Sequence, residues 1–132
     1  MSEPTLRALL LADYVGKLHD GKWVVAGIYD ALFPGQIPLV WNAVAYLKIV
    51  DAPSEGKVRI DLLNPAGARM WTTTDATYKG AANGQLEIGP QLTGMQFFEL
   101  GLYRLEAVLN DNVIGGVGLW LRQKPLSVEV TS

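Results

Sequence analysis

Residues that reverse a chain recur about every ten positions from end to end of this sequence, and no other feature constrains the fold as much. Gly16 to Lys22, Leu32 to Pro38, Asp51 to Gly56, Asn64 to Gly67, Tyr78 to Gln85 and Asn110 to Asn112 all break apolar runs. That spacing suits short antiparallel strands in a sandwich or barrel and leaves too little room for helices. Within the runs the period is two. In Lys57 to Leu63, Val58, Ile60 and Leu62 share one face, while Lys57, Arg59 and Asp61 share the other. Tyr103, Leu105, Ala107 and Leu109 form a core face, with Arg104 and Glu106 opposite. On the next strand Val117, Leu119 and Leu121 form the core set against Gly118, Trp120 and Arg122.

The remaining strands read as Leu6 to Val15, Trp23 to Ala31, Val40 to Val50, Arg69 to Thr77, Leu86 to Ile88 and Gly94 to Glu99. Asn110-Asp111-Asn112 predicts the tight turn of the last hairpin, because Asn and Asp tolerate left-handed backbone. Gly115 and Gly116 predict a bulge or a close approach by another part of the chain. Tyr103, two residues after Gly101, is placed to anchor its hydroxyl on a nearby loop as a tyrosine corner does. The only helical candidate is Met1 to Ala12, and it lacks the apolar period of a helix. At 132 residues the chain makes one domain. The expected organisation is a β-sandwich domain over residues 1–122, with 123–132 as a C-terminal tail or added edge strand.

Two stretches carry a family resemblance. Ala12-Asp13-Tyr14-Val15 followed by Trp23 to Asp30 (WVVAGIYD), and Gly101 to Ala107 (GLYRLEA), are similar to a family of small uncharacterised bacterial proteins. The resemblance implies a β-sandwich with no assigned activity and supplies no catalytic residue. The fold expected is thus all-β: a single-domain antiparallel Greek-key β-sandwich of immunoglobulin or C2 type, with about seven to nine strands and at most one short helix.

Composition narrows the chemistry. Eleven basic and thirteen acidic residues alternate along the chain, with a formal charge of −2. No basic stripe exists to displace phosphate counterions, so no nucleic-acid partner is expected. There is no cysteine, which removes disulfides and thiol chemistry and suits a reducing compartment. The stretch MSEPTLRALLLADYV lacks the pattern of a cleaved signal and its apolar run is too short to span a bilayer. A cytoplasmic location without membrane contact is therefore expected.

His19 is the single histidine and lies in a polar turn, where it reads as a solvated side chain. Asp20, Asp30, Asp51, Glu55 and Asp111 fall near strand ends, but none forms the D-x-D spacing that calcium favours. Glu99, Glu106 and Asp61 do not assemble a carboxylate pair, since the charged positions alternate with apolar ones as on the wet face of a sheet. The serines lack a nucleophile elbow, and Gly80 to Gly84 lacks the lysine and helix of a phosphate loop. No catalytic residue, cofactor or metal is expected, and no enzymatic activity.

What remains is surface. Trp23, Trp41, Trp71 and Trp120 are many tryptophans for this length. Trp120, flanked by Gly118 and Arg122, and Trp41, out of phase with its neighbours, are candidate contacts. In the tail, Leu126, Val128 and Val130 alternate with polar residues like an added strand. The sequence therefore points to an interaction or assembly module that forms oligomers or binds a protein partner through sheet faces, edges and tail. The alternative is a small-ligand or carbohydrate-binding sandwich that uses exposed tryptophans.

Overall fold

The computed structural model describes residues 3–81 and 84–123. These form eleven strands in two sheets: β1 (Thr5–Lys17), β2 (Trp23–Tyr29), β3 (Ala31–Leu32), β4 (Leu39–Val50), β5 (Glu55–Leu63), β6 (Arg69–Thr72), β7 (Ala76–Lys79), β8 (Leu86–Ile88), β9 (Gln91–Phe97), β10 (Gly101–Leu109) and β11 (Asn112–Leu121). No α-helix occurs among the described residues. The first sheet runs β2-β1-β4, with β8 and β9 sharing the far side of β4. The second runs β3-β11-β10-β5, with β6 and β7 sharing the far side of β5. Every pairing is antiparallel except that of β3 with β11, which is parallel. The expected all-β sandwich is thus the fold, and it does not close as a barrel.

The strand count exceeds seven to nine because two predicted segments are divided. The run Arg69 to Thr77 is broken at Thr73-Thr74-Asp75, so that β6 and β7 pair in succession along one edge of β5. Thr73 holds the break: its hydroxyl accepts from the Ile60 amide at 2.9 Å, and its own amide donates to the Ile60 carbonyl at 3.0 Å. Ala31–Leu32, at the start of the proline loop, forms the two-residue β3.

The core lies where the two apolar faces meet. Val58, Ile60 and Leu62 of β5 and Tyr103, Leu105, Ala107 and Leu109 of β10 are all buried, as their alternation requires. They pack against Ala45, Leu47 and Ile49 of β4 and Leu92, Met95 and Phe97 of β9. The β10–β11 hairpin turns at Asn110 and Asp111, which have φ of 49° and 67°, the left-handed pair of a two-residue turn. A bulge follows where the register shifts between Ala107 and Val108, opposite Gly115. A side chain at Gly115 would meet Leu6 of β1 at 2.9 Å, so the glycine lets β1 cross close to β11.

Tyr103 fastens the two sheets at one corner. It is fully buried, and its ring meets Phe97 edge-on at 4.9 Å between centroids. Its hydroxyl donates to the Glu99 carbonyl at 2.7 Å. Burial raises the phenol's pKa most, partly offset by the Glu99 amide, which donates to the phenol oxygen at 3.3 Å. We expect Tyr103→Phe to leave the Glu99 carbonyl without its donor and to cost about 1–3 kcal/mol. Urea unfolding should show a lower midpoint with an unchanged slope.

Candidate functional site

The geometry offers three places where a site could stand: the charged face of β5, an aromatic cluster on the first sheet, and the outer edge of β11. On the first, Arg59, Asp61, Asp75 and Asp111 gather outside the second sheet. Asp61, expected on a wet face, is buried; Arg59 Nε approaches it at 3.1 Å and the Thr72 hydroxyl donates to it at 2.6 Å. Its burial follows from Thr72, which stands directly across from it on β6. Asp111 lies 3.2 Å from both Lys57 Nζ and Arg59 Nη1, and these contacts, that with Lys57 foremost, hold its carboxyl below the usual range. Each acid here is spent on a neighbouring cation. Among the described residues no group of three or more metal-ligating side chains forms.

The aromatic cluster lies on the outer face of the first sheet. Lys17 Nζ sits 5.0 Å above the Trp23 ring, which meets Tyr46 edge-on at 5.6 Å. Tyr46 donates to the Glu87 carboxylate on β8. Burial first, and then the bond to that carboxylate, push the phenol's pKa up to about 12.

The tryptophans singled out from the sequence part company. Trp120 points outward and is 39% exposed, with the Arg122 guanidinium 4.5 Å from the centre of its ring. Trp41 packs against the core and donates through Nε1 to the Tyr29 hydroxyl at 3.0 Å. Its inward turn follows from the register: Trp41 pairs with buried Met95 on β9, just before a register shift. Leu126, Val128 and Val130 lie outside the described residues. His19 is exposed in the β1–β2 turn.

The edge of β11 was not singled out by the sequence. Among the described residues that edge is covered at its end alone, by β3: the Trp120 amide donates to the Asp30 carbonyl at 2.8 Å, and the Arg122 amide to the Leu32 carbonyl at 3.0 Å. In an antiparallel ladder alternate residues turn their amide and carbonyl to the same side. Gly118 and Gly116 therefore turn theirs to the edge that Trp120 presents, beyond the reach of β3. Neither finds a backbone partner there among the described residues. β2 leaves β3 at this point to pair with β1, and an apolar groove of about 480 Å³ opens between them. Leu10, Leu11, Ile28, Tyr29, Val117 and Gly118 line it, and Ile28 is 59% exposed. The one carboxylate at its mouth is Asp30. No lysine or proline guards the stretch Val113 to Gly118, as charged or proline residues commonly do at sheet edges. The signal was present in the sequence as a strand of Val, Ile and Gly, but only the pairing of β3 shows how little of its edge the described residues cover.

Comparison with known proteins places the chain beside a family of unknown function, DUF6941, which matches residues 7–121. An uncharacterised family is what the sequence resemblance implied. No curated protein matches the chain. A similar solved structure is the Pseudomonas fluorescens alkylpurine DNA glycosylase AlkC bound to DNA containing an abasic site analogue. The identity is 13% and the TM-score 0.48, over 92% of this chain and 31% of that one. This chain thus spans less than a third of that protein's length. That protein is an enzyme holding DNA, so the expectations of no enzymatic activity and no nucleic-acid partner are withdrawn. At such distance the likeness assigns neither activity nor partner here. Nor does it support the expected protein partner, homo-oligomer or carbohydrate. Among the described residues no helix is long and apolar enough to cross a membrane.

The Tyr46 environment has a direct consequence for alkaline stability. Unfolded, a tyrosine ionises near pH 10. The unfolded chain therefore releases this proton about two pH units before the folded one, and the Tyr46 contribution, intact below pH 10, is lost as pH rises toward 12. Denaturation series across that window should show Tyr46→Phe with a shallower alkaline loss than the parent chain.

Proposed function

The chain belongs to a family without an assigned activity, and we propose that it acts as an interaction module that accepts an added β-strand along the edge of β11. The observation that carries this reading is the pair of glycine backbones at 116 and 118 that find no partner among the described residues, beside the apolar groove. Strand addition needs main-chain groups for affinity and pockets at alternate positions for selectivity. The edge supplies the first through Gly116 and Gly118, which have no side chain to obstruct a ladder. The groove supplies the second through Leu10, Ile28 and Val117. An incoming strand would continue the line that β3 begins at Trp120 and Leu121. The cysteine-free composition suits a reducing, cytoplasmic setting for such a module.

The alternative of a sugar platform on exposed tryptophans has less support. Arg122 occupies one face of Trp120, and Trp41 is turned into the sandwich with its nitrogen engaged.

Selection from a displayed peptide library tests the strand-accepting edge. It should return extended sequences with apolar residues at alternate positions. Ile28→Lys, at an exposed position, should weaken their binding at least tenfold by placing a charge in the groove. Gly118→Pro should do the same by removing an edge donor; its amide faces away from β10, so proline costs the existing ladder nothing. No enrichment, or binding indifferent to both substitutions, would overturn the reading.

A further inference from the structure

Deepening the strand-accepting reading, and resting on it, we propose that the β11 edge takes the segment Leu126–Val130 of a second copy of this chain. Nine residues follow the last described position, Gln123. Within them Leu126, Val128 and Val130 fall on one face of an extended strand, and Ser127, Glu129 and Thr131 on the other. The slot that the described residues leave beside Gly116 and Gly118 is two-sided in the same way. One side is the groove of Leu10, Ile28 and Val117; the other is the outer face of the second sheet, open to water. A strand of five residues covers about 16 Å, enough to pair with Gly116 and Gly118 and to reach past both.

Charge adds to the fit. Gly116 lies directly under Arg104, whose guanidinium carbon would stand 3.0 Å from a side chain at 116. The guanidinium, which also meets Glu106 at 3.2 Å, thus leans across the glycine toward the bare edge. The water-facing side of the incoming segment carries Glu129, an anion for that cation.

Connectivity selects the second copy over the chain's own tail. β11 ends beside β3, which occupies the edge from Trp120 to Arg122. The chain's own residues 126–130 would have to pass around β3 and turn back to reach Gly118. The same residues of another copy meet no such obstacle. Two copies related by a twofold axis can then each lend a strand to the other, which closes the assembly at a dimer.

The absence of cysteine makes the test clean, since introduced thiols have no competitors. Full-length Gly118→Cys and Glu129→Cys variants, whose thiols would share the water-facing side of the added pair, mixed in equal amounts and oxidised mildly, should give a cross-linked dimer joining one copy of each. Leu126→Asp combined with Val128→Asp should convert the parent dimer, measured by light scattering, to a 14.4 kDa monomer. It should also expose the Gly116 and Gly118 amides to hydrogen exchange. A monomeric parent chain overturns the exchange between copies, as does a double-cysteine chain that closes only within itself. If the two glycine amides are protected but the tail substitutions leave them so, the edge is occupied by something else: the tail assignment fails while the strand-accepting edge stands. If the amides exchange freely at every concentration and with every selected peptide, both fail.

Discussion

The contact on which the sandwich most depends is that between Tyr103 and Phe97. Phe97 ends β9 in the first sheet and Tyr103 lies near the start of β10 in the second, with only Phe98 to Leu102 between them. The two rings meet edge-on, both wholly buried, and the phenol hydroxyl returns to the Glu99 carbonyl in the connection itself. One residue thus sets how far apart the sheets stand and seals the corner where the chain crosses between them. Residue by residue, β10 then pairs with β5 on one side and β11 on the other, so its position fixes both.

From that placement follows the unequal treatment of the two sides of the second sheet. The β5 side is covered along its length by β6 and β7, with Thr73 bridging the break. Among the described residues the β11 side is covered only at its end by β3, because the chain must leave β2 on the other sheet and has just Asp30 with which to cross. The Asp30 carbonyl accepts from the Trp120 amide, and among the described residues the ladder goes no further toward Gly118. A long strand with a short partner leaves main-chain groups over, and here the leftover groups belong to glycines beside an apolar groove. On the proposed reading, a strand added there would be extended and apolar on the side that meets the groove.

Much of the fold was legible along the chain. Alternation identified the buried faces of β5, β10 and β11, since a period of two on a half-buried strand admits one solution. Asn110 and Asp111 announced their turn because few other residues accept positive φ in succession. Glycine at 115 announced a bulge. The candidate site was legible only in part. The outward position of Trp120 followed from the phase of its strand, whereas Trp41 could not be placed, because a strand apolar on both faces carries no phase. Asp61 reads in the sequence as one more surface acid; the hydroxyl of Thr72, eleven residues further on, is what shuts it in.

The sequence by itself determined that the chain is all-β, which side chains face inward on its strongest strands, and where it turns, because these depend on local period and on the backbone freedom of single residues. Only the tertiary structure decided which strands are neighbours. The parallel seat of β3 on β11, the division of β5's edge between β6 and β7, and the glycines at 116 and 118 left unpaired among the described residues all arise from pairings between segments distant in the chain. Alternation is blind to partners: a strand's pattern states which face is buried and says nothing about which edge is left open.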